Sequence, residues 1–166
     1  MAENRELSDY DVKICVPSGL SKAELAECLA LIKSGGAVDP ASAGREVPKA
    51  TSVVIARKDN KIVGVGAIKR IRRHYASDKA RKSGVNFPPE TPELGYIRIH
   101  DDHQRKGLSR CMVKALLSGH EGPLFATTSS APMKKTLLNS GFVLKGCEWE
   151  GNSGSQLSLW LRGMKP

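Results

Sequence analysis

The chain has 166 residues, 40% hydrophobic and 26% charged, the proportions of one globular domain rather than of a disordered, collagenous or disulfide-stapled chain. About two-thirds of the unfolded surface is buried on folding at this length, so the core needs no staple, and no apolar run approaches the ~18 residues of a membrane span. A net charge of +9 and a pI near 9.6 imply an anionic partner without choosing among coenzyme phosphates, nucleic acid and acidic protein.

Residues 1–10 are polar and expected to fray, and Met1-Ala-Glu-Asn-Arg-Glu lacks the apolar centre of a secretion signal. The cysteines, Cys15, Cys28, Cys111 and Cys147, form no CxxC pair, and three lie in apolar patterns. The expectation is a cytoplasmic chain with reduced thiols. Val12, Ile14 and Val16 alternate with polar neighbours, which predicts a strand. Ser21-Lys-Ala-Glu24 is a capping box, and Leu25, Cys28, Leu29 and Ile32 then share one helical face until Gly35-Gly36. Residues 37–50 read as a loop or one short helix. Ser52 to Arg57 and Lys61 to Ile68 make a hairpin around Asp59-Asn60. Residues 72–92, with Gly84, Pro88, Pro89 and Pro92, read as a long basic loop, a length that favours function or disorder.

Leu94 to Ile99 is the next strand. Gly107 to Leu117 follows as a helix with Leu108, Cys111, Met112, Ala115 and Leu116 on its apolar face. Pro123 to Thr128 is a strand. Ser130-Ala131-Pro132 opens a helix that Asn139-Ser140-Gly141 closes. Phe142 to Trp149 and Gln156 to Leu161 are the last two strands. This order predicts a single domain over 11–162 of the α+β class (α/β mixed), a sheet with helices on its faces.

The segment Glu93-Leu-Gly-Tyr-Ile-Arg-Ile-His-Asp-Asp-His-Gln-Arg-Lys-Gly-Leu-Ser carries the chemistry. It is a strand, a short polar turn, a glycine and an amphipathic helix. A helix N-terminus presents unpaired N–H groups and a partial positive charge. A glycine there admits close backbone approach, and Arg105 and Lys106 add charge, so the turn suits a phosphate or pyrophosphate. An ordinary helix start with solvated charges is the plainer alternative.

Here the sequence resembles the GNAT acetyltransferase superfamily. Its pattern, Gln/Arg-x-x-Gly-x-Gly/Ala, is met by Gln104, Gly107 and Ser109. The apolar strand Ile97-Arg98-Ile99 ends at the expected distance before it, and the later strand and helix ending in Gly141-Phe142 also match. The resemblance covers about residues 11–162. It implies a central, mostly antiparallel sheet of six to seven strands, flanked by about four helices and splayed at the cofactor site. It also implies transfer of an acetyl or similar acyl group from acyl-CoA to a primary amine by direct attack. Backbone groups of Ile97, Arg98 and Ile99 would hold the pantetheine arm. Amides of Gln104, Arg105, Lys106, Gly107, Leu108 and Ser109 would wrap the pyrophosphate, and Ser130 would reach the cofactor further along. Glu93 stands where some members have their catalytic base, since an alkyl ammonium near pKa ~10.4 must lose a proton before it attacks. Many members place a tyrosine acid where this chain has Leu137. Tyr96 or Ser130 would substitute, and a thiolate, from a thiol near pKa ~8.5, is a fair leaving group unaided.

His100-Asp101-Asp102-His103 holds four ligand types in one turn, too close in sequence to converge easily on an ion, so no metal is expected. Cys111 lies on an apolar helix face and reads as core rather than nucleophile. Gly64-Val-Gly66 sits inside a strand pattern and lacks the rest of a nucleotide loop. The basic stretch Lys69, Arg70, Arg72, Arg73, Lys79, Arg81 and Lys82 is either a solvated loop or a polyanion contact whose binding would fall with salt. An enzyme of this fold that modifies a nucleic acid, and a module that binds without catalysis, are the rival readings. The acceptor is left open, as is a homodimer.

Overall fold

The computed structural model describes residues 7–165. In chain order the elements are β1 (Asp11–Cys15), α1 (Lys22–Ser34), α2 (Pro40–Glu46), β2 (Ser52–Lys58), β3 (Lys61–Ile68), α3 (Arg73–Ser83), β4 (Leu94–Ile99), α4 (Leu108–Ser118), β5 (Leu124–Thr128), α5 (Ala131–Asn139), β6 (Val143–Glu150) and β7 (Gln156–Arg162). The α+β class holds. The seven strands divide into sheets of four, ordered β1-β2-β3-β4, and three, ordered β5-β7-β6. Five α-helices among the described residues accompany them, close to the four or so expected. No helix among the described residues is long and apolar enough to cross a membrane. The chain forms two compact units, one running to Lys69 and resuming over Tyr96–His120, the other comprising Arg70–Gly95 and the chain from Glu121 onward.

In the first unit the capping box closes as its spacing dictates. Glu24 N donates to Ser21 Oγ at 3.1 Å, and Ser21 N donates to Glu24 Oε1 at 2.9 Å. The same carboxylate pairs with Arg57 on β2. The Ser21 hydrogen bonds, ahead of the Arg57 charge, hold the Glu24 carboxyl below its usual range. Residues 37–50 contain one short helix, α2, with Pro40 in its first turn and Asp39 accepting from Ala41 N and Ser42 N at 3.3 Å each. Asp59 (φ 51°) and Asn60 (φ 65°) turn β2 into β3, the pair of positive angles a two-residue hairpin with the right twist demands. Cys28, Leu31, Ile32, Val47, Val53, Ile55 and Val65 fill the core against α1 and α2. Gly64 and Gly66 leave room for side chains. A Cβ on Gly64 would meet Met112 Sδ at 2.8 Å, and one on Gly66 would overlap Ile97 Cδ1. Of the stretch expected to fray, residues 1–6 lie outside the described residues, Leu7–Asp9 form a 3-10 turn, and Tyr10 is buried.

In the second unit β5 and β6 flank β7, both antiparallel to it. Phe125, Phe87, Leu159, Leu161 and Ala76 form its core, with the Phe87 and Phe125 rings 5.1 Å apart. The expected loop over 72–92 is corrected here, because 73–83 is the helix α3. Its buried residues are only Ala76 and Ser83, too small to write an apolar stripe. Charge supports it instead. Asp78 takes ion pairs from Lys79 at 3.3 Å, Arg81 at 2.6 Å and Lys82 at 3.2 Å, the last two at helical i,i+3 and i,i+4 spacing. Partial burial pushes the Asp78 carboxyl up, and hydrogen bonds from Arg81, Lys82 and Lys79 more than offset this, leaving it below its ordinary value. Gly84, at φ 74°, ends the helix.

Candidate active site

The strand β4 has a bend built into it. Tyr96 sits at φ 58°, a left-handed conformation that is strained for a bulky residue and characteristic of functional backbone. Its ring is buried, with the Lys69 ammonium 4.1 Å from the ring centre. Beyond it Ile97 packs over Gly66, and Ile99 is buried. Arg98 holds the strand end. Its Nη1 donates to Ile99 O at 2.8 Å, Nη2 to Asp101 Oδ1 at 3.1 Å and Nε to Ser34 Oγ at 3.4 Å.

Asp101–His103 form a 3-10 turn. Gln104 then reaches back, its Nε2 donating to Ile99 O at 3.0 Å and to Asp101 Oδ1 at 3.3 Å. Arg105 (φ 63°) and Gly107 (φ 81°) are left-handed while Lys106 between them is not. Alternating handedness of this kind curls successive N–H groups toward one side and makes an anion-binding concavity. Gly107 is the N-cap of α4 and provides no capping side chain, so the first-turn amides extend the same donor set. Arg105 is exposed, Lys106 and Ser109 are half-buried, and Leu108 anchors the helix start in the core. Residues 104–109 thus join two left-handed backbone positions, two cationic side chains and an uncapped helix start. The His100–His103 run acts locally. His100 Nδ1 accepts from Asp102 N at 3.2 Å, and no group of three or more His, Cys, Asp or Glu residues among those described is placed to hold a metal.

Sequence reading missed Tyr10. Its hydroxyl lies 2.7 Å from His103 Nδ1 and its ring meets the imidazole edge-on. Burial lowers the His103 pKa, helped by the Lys58, Lys106 and His100 charges, so the imidazole beside the anion turn is neutral near pH 7. Nothing in an N-terminal polar stretch signals this contact.

In the second unit Glu93 is buried rather than the solvated residue a strand start suggests. It bridges Phe125 of β5 in parallel. Its Oε1 lies 3.6 Å from Arg72 Nη2, and its Oε2 accepts from the Tyr75 hydroxyl at 3.5 Å. Arg72 also lies over the Tyr75 ring at 4.1 Å. The sequence marked this region as basic but gave no sign that Arg72 and Tyr75 meet Glu93. Ser130 caps α5, accepting from Met133 N at 3.3 Å. Leu137 is buried on α5, which accounts for the apolar side chain where a tyrosine was expected. The basic stretch is largely paired, since Arg73 meets Glu90 at 3.1 Å and Lys79, Arg81 and Lys82 meet Asp78.

The sequence profile described as the Acetyltransferase (GNAT) family matches residues 30–122. No curated protein matches the chain. Among solved structures the fold is similar to an acyl-CoA N-acyltransferase from Pseudomonas aeruginosa, at 14% identity and a TM-score of 0.68, covering 92% of this chain and 99% of that one. A GNAT family acetyltransferase from Elizabethkingia anophelis with acetyl-CoA bound gives 13% identity and a TM-score of 0.59 over 94% and 99%. The ribosomal-protein-S18-alanine N-acetyltransferase from Escherichia coli gives 13% and 0.64 over 94% and 97%. The strand, the bent backbone and the cationic turn at the head of α4 all lie inside the profile match, and the chain belongs to the GNAT acetyltransferase family.

Proposed function

We propose that this protein transfers an acetyl or similar acyl group from acyl-CoA to a primary amine, by direct attack in a ternary complex, and that its two units serve one catalytic domain. The observation that carries the reading is the Arg105–Gly107 turn, where alternating backbone handedness and two cations meet an uncapped helix start. That donor set suits a pyrophosphate. Amides from Gln104 through Ser109 hold it, with the Arg105 and Lys106 charges beside it. Backbone groups of Ile97, Arg98 and Ile99 align the pantetheine arm, and Ser130 contacts the cofactor further along. Acyl-CoA supplies the thioester carbonyl and the sulfur leaving group.

Glu93 accepts a proton from the acceptor ammonium, which frees the nitrogen lone pair. The nitrogen then bonds to the carbonyl carbon as the carbon–sulfur bond breaks. The electron pair of that bond stays on sulfur and takes the Tyr96 proton, the second proton shed by the nitrogen restores the Tyr96 hydroxyl, and the proton held by Glu93 passes to solvent. Burial of Glu93 against Arg72 and Tyr75 supports a positioned carboxylate rather than a solvated one.

Thiol release from acetyl-CoA over a panel of small amines, peptides, aminoacyl-tRNA and DNA tests the reading. Glu93→Gln is expected to lower kcat by about 10²-fold or more, the scale of general-base assistance, with acetyl-CoA affinity by calorimetry unchanged. Unaltered turnover in Glu93→Gln removes the base assignment. No detectable acetyl-CoA binding by the wild type removes the cofactor assignment.

A further inference from the structure

Arg70, Ile71, Arg72, Arg73, His74 and Tyr75 line an open recess of about 460 Å³, within the volume range of small-molecule sites. Three of the six carry guanidinium groups and a fourth carries an imidazole. No lining residue is acidic. Two of them, Arg72 and Tyr75, also touch the buried Glu93 carboxylate. The neighbouring acid Glu90 pairs with Arg73, but both side chains are more than half exposed, and such surface pairs exchange readily. Further along α3 the cations Lys79, Arg81 and Lys82 are engaged by Asp78. Asp78 is a single carboxylate for those three cations, so positive charge persists along α3 as well; what 70–75 adds is the recess and its contact with the Glu93 carboxylate.

We propose that the acceptor is a small amine bearing its own anionic group, a carboxylate or a phosphate. Arg70, Arg73 and His74 hold the anion in the recess, Ile71 flanks its methylenes, and the amine is directed to Glu93. Guanidinium groups suit this task because their paired N–H donors match carboxylate and phosphate oxygens. The inference rests on the acyl-transfer reading and names the substrate class of that reaction.

Thiol release from acetyl-CoA is measured with matched amines: β-alanine against β-alaninamide, O-phosphoethanolamine against ethanolamine, and putrescine as a cationic member. KM is referred to the free-amine fraction. In at least one pair the anionic member should show a KM about tenfold or more below its neutral partner, the scale of one charge-assisted hydrogen bond. The pair with the larger ratio separates carboxylate from phosphate. Arg73→Gln, an exposed change, should bring that ratio toward one, and an unchanged ratio removes Arg73 from the anion site. Equal KM values within both pairs, or putrescine as the best acceptor, overturn this inference and leave acyl transfer standing. No release from any of these amines overturns this inference, and no release across peptides, aminoacyl-tRNA and DNA as well overturns acyl transfer too. Competitive inhibition by tRNA or duplex DNA at physiological salt, with no anionic amine acylated, overturns it in favour of a nucleic-acid acceptor.

Discussion

Gly107→Ala separates the two reasons for a glycine at the head of α4. Gly107 adopts φ 81°, and an added Cβ would come no nearer than 4.0 Å to another side chain, Leu7 Cδ1. Crowding therefore contributes nothing, and the structural cost is the left-handed backbone alone, about 1–2 kcal/mol. For a chain of this size that lowers Tm by about 2–8 °C. If the backbone at this turn lies against the pyrophosphate, the methyl takes space the ligand needs. The acetyl-CoA Kd should then rise by about tenfold or more, about 1.4 kcal/mol. Gly84→Ala is the matched control, because Gly84 has φ 74° at a helix end, and a Cβ added there would meet nothing within 4 Å. It should lose a similar Tm and no acetyl-CoA affinity. Thermal melts and calorimetry on both variants decide. An unchanged Kd in Gly107→Ala refutes the argument that this glycine admits a ligand, and leaves it only a helix start.

Tyr10→Phe removes the contact with His103 and should cost about 1 kcal/mol, read as a lower urea midpoint together with weaker acetyl-CoA binding. His103 has its folded pKa depressed below the ordinary value of 6.5, so the unfolded chain takes up its proton first as pH falls. Stability from this group is complete above about pH 6.5 and declines as pH drops toward the folded value. Urea midpoints from pH 7.5 to 5 should show this decline, and His103→Asn should flatten it; an identical slope in the variant contradicts the assignment. Gly146→Ala, in contrast to Gly107→Ala, meets backbone. Its Cβ would strike the Ser83 carbonyl at a residue with φ 72°. A loss of about 2–4 kcal/mol is expected in thermal melts, and a loss under about 1 kcal/mol would show that the β6 backbone yields at Gly146.

The sequence displayed what local chemistry writes. Ser21 and Glu24 announce α1, Ser130 with Pro132 announces α5, and Gly107 announces the start of α4. α3 escaped because Ala76 and Ser83, the residues it buries, leave no apolar period to detect, while its support, Asp78 with Arg81 and Lys82, is a charge pattern. Asp39-Pro40, an N-cap followed by a first-turn proline, was the readable sign of α2. The left-handed angles at Tyr96 and Arg105 were illegible, since neither residue favours them and tertiary packing imposes them. The burial of Glu93 was not legible, because its partners stand about twenty residues back and sequence spacing does not report that Arg72 and Tyr75 return to it.

The carbonyl of Ile99 accepts from both Arg98 Nη1 and Gln104 Nε2, so the connection from β4 to α4 is stapled by its own side chains. The conformational freedom of those residues is spent when the chain folds, not when something docks. A ligand of the kind proposed for this turn would meet a connection already ordered, and differences in affinity among such ligands would then reside in how slowly they leave.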